Sequence, residues 1–420
     1  MSRKWSVLAF LCGIFVIYTV DRALLGLLAI PIQQETGLSD VRFGLLGSAI
    51  FWTYALAVPF AGLAGDRFDR SRLIGLAALA WSAMTFLAGF ADGFWSLLAL
   101  VSFAIVVPQT LYSPAANALI ASLHDKTRTV AMSCHQAAFY TGWFVSGAAV
   151  AGISAFFGTW RAVFFACGGV GIASALAFLW FSRRERVDRS SSCDRSSRDS
   201  IAIGQSADQS IKQSLRAYFG CPSALLVSVG YVTEVFVACG YCAWGPKFVA
   251  NKFALSAGAA GTGVMFWHYA AAFAAILGAG FLTDACVKRW PRFRLALSLS
   301  ATVVAVPALL LFGLGTSLLL VWTGAALLGA MLGVIGANQF TNLFDVVPSA
   351  FRSGAIGFLT VMAGLCGGLS PVLLGALSEA AGLRGFERGF ALFAAVQALP
   401  IAALAACILF TFRKDRLVES

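Results

Sequence analysis

The chain has 420 residues, of which 59% are hydrophobic and 12% charged, and its mean hydropathy is +0.83. Soluble domains average about 45–50% apolar and about 25% charged residues, so this composition excludes a soluble enzyme or a soluble binding domain. The net charge of +11 does not indicate a nucleic-acid partner, because most basic residues fall on one side of a series of apolar runs.

Each run is long enough to cross a bilayer, and together they predict twelve transmembrane helices at about 5–30, 41–64, 72–91, 94–122, 129–156, 160–182, 222–249, 257–283, 293–313, 317–344, 352–381 and 388–412. The first lacks a small-residue cleavage site and is too long for a signal-peptide core, so it is expected to remain as span one. With both termini cytoplasmic, only Arg42, Arg161, Lys247, Lys252, Arg384 and Arg388 lie outside, and Arg22 alone lies within a span. That asymmetry is the positive-inside pattern, expected of a multi-pass protein of a bacterial inner membrane. Residues 183–216 are rich in Ser, Arg and Asp and too polar to fold alone. They read as a linker between six spans in residues 1–182 and six in 217–420. The end of that linker, "IKQSLRAYF", reads equally as a surface-lying segment or a polar tail.

Span one holds "IYTVDRALLG", in which Asp21 and Arg22 are adjacent charges in an apolar run. Helix neighbours point about 100° apart, so each needs its own partner. Arg22 stays charged and offers planar donors suited to carboxylate or phosphate, while Asp21 is a candidate proton carrier. A static salt-bridge network is the competing use. After span two comes "GLAGDRFDRSR", with Gly62, Asp66, Arg67 and Arg70, and after span eight comes "GFLTDACVKR", with Gly280, Asp284, Lys288 and Arg289. Spans five and eleven open with Arg128 and Arg352 at similar separations. This faint repeat divides the chain into two related halves and marks gating contacts at Gly62, Asp66, Arg67, Arg70, Arg128, Asp284, Lys288 and Arg352.

In span four, Gln109, Ser113 and Asn117 share a helix face with Tyr112 beside them. In span ten, Asn338, Asn342 and Asp345 do the same, Asp345 near the end where it caps or gates. The stripes either line a central cavity or bridge helices through their amides. His135 in span five and His268 in span eight are candidates for titration or for a helix-to-helix hydrogen bond, and His124 reads as a solvated turn residue. Glu234 in span seven is the second deep acid, a candidate for proton coupling and substrate contact. Cys239 and Cys242 form a CxxC that reads as packing, since no zinc or redox pattern accompanies it. Pro108, Pro114 and Pro371 permit bends, and Gly364 with Gly368 permits close helix approach. No metal-ligand spacing, cofactor motif or nucleophile pattern occurs, so neither an enzyme nor a bound cofactor is expected.

"GLAGDRFDRSR" and the plan of six spans, linker and six spans resemble the major facilitator superfamily. "YTVDRALLG", "YSPAANALI", "CAWGPKFV" and "VKRWPRFRLAL" resemble its Spinster branch. The resemblance implies an all-α fold of two pseudo-symmetric six-helix bundles and alternating access around a central cavity. It also implies that Asp21 and Arg22 lie in that cavity. The branch moves lysophospholipids and sphingoid phosphates in animals. It usually carries an Arg and a Glu in span four where this chain has Ser102 and Gln109, so a proton relay through that pair does not transfer and the coupling ion stays open. The expected activity is secondary transport of an amphipathic or organic anion by a monomer, with protons as a coupling partner in symport. Substrate sites are expected at Asp21, Arg22, Gln109, Tyr112, Ser113, Asn117, Glu234, His268, Asn338 and Asn342, and proton sites at Asp21, Glu234 and His135. The alternative is a facilitator or exporter of sugars or cationic drugs; for a cationic substrate Arg22 would be a repulsive element.

Overall fold

The computed structural model describes residues 3–67, 69–124, 127–185, 213–348 and 351–416, without the side chains of 3, 62–67, 129, 184, 185 and 353. Among them no strand occurs, and twelve helices are long and apolar enough to span a membrane. Spans one to six are Lys4–Leu27, Asp40–Ala61, Arg70–Ala88, Phe94–Leu123, Val130–Phe157 and Trp160–Arg183. Spans seven to twelve are Pro222–Phe253, Ala257–Cys286, Phe293–Leu314, Leu318–Phe344, Gly354–Ala381 and Leu383–Asp415. A short helix, Ala29–Thr36, follows span one and stops at Gly37, whose φ of 68° needs no Cβ to be tolerated. Most of the linker lies outside the described residues. Its end is helical over 213–219 and is anchored by Tyr218, whose hydroxyl donates to Ser228 Oγ at 2.5 Å.

Two spans are interrupted for identifiable reasons. Span four begins as a short α-turn, widens into a π-helix over Leu98–Ala104, and resumes as α-helix at Val106, before Pro108. Span eleven breaks between Gly367 and Leu369 because Pro371 has no N–H to offer the Gly367 carbonyl. The Ser370 hydroxyl takes that carbonyl at 2.9 Å. The Pro371 carbonyl accepts from Trp244 Nε1 at 2.7 Å, and the Val372 N–H finds Ser48 Oγ at 3.2 Å. The bend thus fastens span eleven to spans seven and two.

The two halves meet along small residues. A Cβ at Gly44 would lie 2.6 Å from the Pro371 carbonyl, and one at Gly364 would lie 2.7 Å from Ala55 Cβ. Gly26 sits against the Cys242 carbonyl, Gly375 against Asp40, Gly368 against Trp52, and Gly147 against Thr262. Every hydrogen bond between the halves among the described residues lies between the end carrying the 28–39 connection and the level of Trp52, whose Nε1 donates to Leu365 O at 3.0 Å. That end is closed by a latch. Lys247 of span seven reaches Asp40 of span two at 2.5 Å and Gln33 at 2.6 Å, Ser378 of span eleven donates to Asp40 at 2.5 Å, and the Val41 N–H donates to Glu379 at 2.9 Å.

Within each half, equivalent struts recur. In the first, Arg161 of span six pairs with Glu35 at 2.7 Å and donates to the Gly89 carbonyl that ends span three. In the second, Lys252 of span seven pairs with Glu387 of span twelve at 2.8 Å and donates to the Gly313 carbonyl near the end of span nine. The same three helices are tied in each half with the charges exchanged. Arg161 and Trp160 hold the Glu35 carboxyl below the usual carboxylate range, so this pair is complete above about pH 4.5 and is lost as the pH falls through the lowered value.

Removing the cation of the latch, as in Lys247→Met, takes away a charged hydrogen bond of about 1.5–3 kcal/mol present only in the closed arrangement. Spin labels at the exposed Gln34 and Asn251 are expected to show a longer-distance population raised about tenfold or more; an unchanged distance distribution refutes the latch.

Candidate functional site

Adjacent charges in span one point into two different surroundings. Arg22 is half-buried at the seam, with Nη1 donating to the Tyr18 hydroxyl at 3.3 Å. Its guanidinium carbon lies 4.8 Å from the Tyr54 ring centre, 5.7 Å from Tyr18 and 6.0 Å from Phe51. On the side of the other half, Cys239 and Cys242 of span seven lie within its electrostatic reach, and Cys242 Sγ is 3.2 Å from the Tyr269 hydroxyl. No carboxylate pairs with Arg22 among the described residues. Its charge is met by aromatic faces and hydroxyls, which leaves most of its planar donors uncommitted.

Asp21 turns the opposite way, into the first half between spans one, three and six. It is buried, with Cys167 in electrostatic reach and the Trp81 indole beside it, though Trp81 Nε1 makes no hydrogen bond of full geometry. Thr85 Oγ1 lies 3.3 Å from Asp21 Oδ2 and 3.0 Å from the Trp81 carbonyl, and Asp21 Oδ1 has no partner. A threonine hydroxyl has a single hydrogen. When it goes to the nearer Trp81 carbonyl, Asp21 faces a lone pair, and only a carboxylic acid carrying its own proton completes the chain from Asp21 through Thr85 to Trp81.

Glu234 of span seven is also buried, and its Oε2 has no partner. It lies in electrostatic reach of Tyr140 from span five and Tyr231 from its own helix, and Gln339 of span ten sits beside the Tyr231 hydroxyl. Tyr54 is in reach of both Tyr18 and Tyr231. Arg22, Tyr54, Tyr231, Gln339, Tyr140 and Glu234 are thus linked across the two halves by electrostatic reach.

Other residues singled out from sequence are held in packing around these groups, Tyr112 against Tyr18 at 5.9 Å and against Trp81 at 5.7 Å. Tyr112 is fully buried inside the first half, donating to the Leu11 carbonyl at 2.7 Å. Having spent its hydrogen, it accepts from His135 Nε2 at 3.0 Å, and the imidazole stacks on Phe15 at 4.3 Å. Tyr112 and His135, expected at substrate and proton sites, form a strut joining spans one, four and five. Asn338 accepts from Thr283 at 3.1 Å and donates to the Val334 carbonyl, and Asn342 donates to Ser298 at 3.2 Å. Both are absorbed in packing within the second half. His268 is buried and stacked on Tyr241 at 4.5 Å. In span four Gln109 is buried with neither amide atom partnered, Ser113 is half-buried and Asn117 is exposed. His124, expected to be solvated, is buried, bonding Thr127 at 3.0 Å and the Lys4 carbonyl at 3.1 Å.

Of the expected gating set, the side chains of Gly62, Asp66 and Arg67 lie outside the described ones. Arg128 donates to the Ala121 carbonyl at 3.2 Å and Arg352 to the Phe344 carbonyl at 2.9 Å, each capping the preceding span. Asp345 takes Arg294 of span nine at 2.7 Å. Asp284 and Lys288 are exposed, Arg70 is half-buried, and Gly280 has open space where a Cβ would stand, so no helix approaches it. Sequence reading missed Tyr18, Tyr54, Tyr231 and Gln339. The available signal was their spacing, since Tyr18 lies one turn from Arg22 and Tyr231 one turn from Glu234.

A twelve-span bundle whose seam holds a lone guanidinium is consistent with what known proteins show. Residues 10–371 match the Major Facilitator Superfamily. The chain belongs to that superfamily. It is 26% identical over 387 residues to the cis,cis-muconate transport protein of Acinetobacter baylyi, covering 90% of this chain and 89% of that one. A probable anion transporter 4, chloroplastic, of Oryza sativa subsp. japonica is 26% identical over 197 residues, which span 45% of this chain and 31% of that protein. In fold, this superfamily member resembles the crystal structure of a bacterial homologue of the human lysosomal transporter Spinster in an inward-facing, occupied conformation. The TM-score is 0.81 at 21% identity, over 100% of each chain. The fold is therefore that of a major facilitator transporter, an integral multi-pass membrane protein with two six-helix bundles.

The buried strut gives a direct check. Tyr112→Phe strips the His135 ring and the Leu11 carbonyl of their shared partner and should cost about 1–3 kcal/mol of stability. The melting temperature of the purified protein should fall by several degrees, whereas an unchanged melting curve rules out the strut.

Proposed function

We propose that this major facilitator transporter moves an organic anion with an apolar body, bound by Arg22, and that uptake is coupled to a proton on Asp21. The observation that carries this is the aromatic setting of Arg22. A guanidinium at the seam, walled by Tyr18, Phe51 and Tyr54 and free of any carboxylate among the described residues, matches a carboxylate or phosphate attached to a hydrophobic or unsaturated frame. A cationic drug meets repulsion at the same point. The anion-carrying relatives, muconate among them, support an organic acid as the substrate class.

Glu234 supplies the opposing contact from the second half, protonated when the anion is bound so that it donates to a second polar group. Asp21 does not touch substrate. It binds its proton behind span one, where the Thr85 and Trp81 chain accepts it. Losing that proton leaves a bare carboxylate away from water, a cost of several kcal/mol, so span one must move when it leaves. With termini and linker in the cytoplasm, as the basic residues favour, the latch of Lys247, Asp40 and Ser378 closes the outer side of a bacterial inner membrane and the transporter opens inward.

In proteoliposomes, Arg22→Ala should abolish uptake of cis,cis-muconate or a related organic acid, and Arg22→Lys should lower it at least about tenfold because the planar donors are lost. Full uptake by Arg22→Ala ends the assignment. Asp21→Asn, which mimics the protonated acid, should keep exchange of external for internal substrate while losing accumulation driven by a pH gradient. Retained pH-driven accumulation removes Asp21 from the coupling.

A further inference from the structure

At the closed end two depressions adjoin on the membrane-facing side of spans five and eight. The larger, about 760 Å³, has a floor of small residues, with Ala151 and Ala155 from span five and Gly258, Ala259 and Gly263 from span eight. Its walls are Trp267 of span eight and Trp322 of span ten, and the Gly263 Cβ position is in contact with Trp322. The smaller, about 470 Å³, lies between the Ala29–Thr36 helix and the start of span six and is lined by Gln34, Glu35, Thr159 and Trp160. The two share Ser154 and Ala155 as a common rim. One site thus has an apolar arm and a polar arm.

The dimensions suit one leaflet. From Ser256 to Trp267 the apolar arm runs about 16 Å at 1.5 Å per residue, and one leaflet contributes about 15 Å of hydrocarbon. The polar arm sits at the turn between spans five and six, where the chain leaves the membrane. Its lining holds one formal charge, Glu35. That carboxylate accepts from Trp160 Nε1 at 2.6 Å and from Arg161 Nε and Nη2 at 3.1 and 2.7 Å. A carboxylate has about four acceptor positions, so one remains for a cationic group. The side chain is 47% exposed and can be reached. A headgroup that carries an ammonium can occupy that position, whereas one that carries only a phosphate would set its negative charge beside the Glu35 carboxylate.

We infer that this double groove is a binding site for one zwitterionic phospholipid of that leaflet, its acyl chain along Gly258 to Trp267 and its ammonium on Glu35. The floor is built from both halves, Gly258 meeting Ala151 at 2.8 Å from its Cβ position, so the site exists only when this end is closed. A lipid seated there favours the closed arrangement through its differential affinity. It lies apart from Arg22, and its binding does not depend on the transported solute.

The test is native mass spectrometry of the full chain, purified in detergent and titrated with palmitoyl-oleoyl phosphatidylethanolamine, phosphatidylcholine or phosphatidylglycerol. One retained lipid is expected, with the two zwitterionic species bound at least about tenfold more tightly than the anionic one. Ala155→Trp with Ala259→Trp fills the apolar arm at exposed positions and should remove the retained lipid, with a preserved melting transition as the control for folding. Glu35→Gln should leave one lipid bound but abolish the headgroup preference. Retention unaffected by the double tryptophan variant, equal affinity for phosphatidylglycerol in the unsubstituted protein, or displacement by detergent alone overturns the site. None of these readouts involves Arg22-dependent uptake, so this inference and the transport assignment fail separately.

Discussion

A charge placed in hydrocarbon must be satisfied by the protein itself, and span one carries two in consecutive positions. The 100° turn between helix neighbours sends them to opposite sides, and the architecture around span one follows from that division. Asp21 is enclosed by its own half, against Thr85 and the Trp81 indole. Arg22 is given to the seam, where ring faces and a tyrosine hydroxyl temper its charge without cancelling it. A carboxylate paired with Arg22 would have neutralised the seam. The tyrosines instead leave it cationic.

The two halves are braced internally by charged struts and fit closely against each other with few hydrogen bonds between them. Inside them, charged struts tie equivalent helices through different residues: Glu35, Arg161 and the Gly89 carbonyl in one, Glu387, Lys252 and the Gly313 carbonyl in the other. Exchanging acid for base between helices keeps the interaction while erasing sequence similarity. Between the halves the surface is mostly glycine and alanine against backbone, at Gly44, Gly147, Gly364 and Gly375. Such contacts exclude lipid and fit closely, yet few hydrogen bonds must break for the halves to part. The latch at Asp40 and Lys247 concentrates the polar cost of opening at one end.

The fold was legible because its signal is collective. Apolar run lengths located twelve spans, and the expected boundaries of span ten, 317–344, differ from Leu318–Phe344 by one residue. Side-chain direction was legible only where chemistry leaves little choice. The divergence of Asp21 and Arg22 followed from helix geometry, but which of them meets the seam did not, and the structure gives Asp21 to the interior. Polar stripes misled for the same reason. Asn338 and Asn342 share a face, but that face is turned to Thr283 and Ser298 inside the half, whereas Gln339, one position round, lies beside Tyr231. A period identifies a common face without saying which neighbour it addresses, since amides suit a wet cavity and a helix contact equally. The tyrosines escaped notice because an aromatic residue in a span is unremarkable until a cation is found beside it.

Placing the two charges on one rigid helix also allows coupling without contact between proton and substrate. Span one touches span seven where Gly26 meets the Cys242 carbonyl, one turn beyond Arg22, and no side chain at position 26 could intervene. Under the proposed coupling, a shift of span one on deprotonation of Asp21 would act on the seam directly, carrying Arg22 relative to Cys239, Cys242 and the neighbouring tyrosines. Substrate bound to Arg22 would resist or assist the same shift, so each ligand biases one equilibrium and their effects are reciprocal. Ser102, whose hydroxyl is spent on the Leu46 carbonyl at 2.9 Å, and Gln109, which carries no charge, leave span four without an ionisable group at this level. Under the proposed coupling, the proton is then carried by span one, with Glu234 responding from the opposite half.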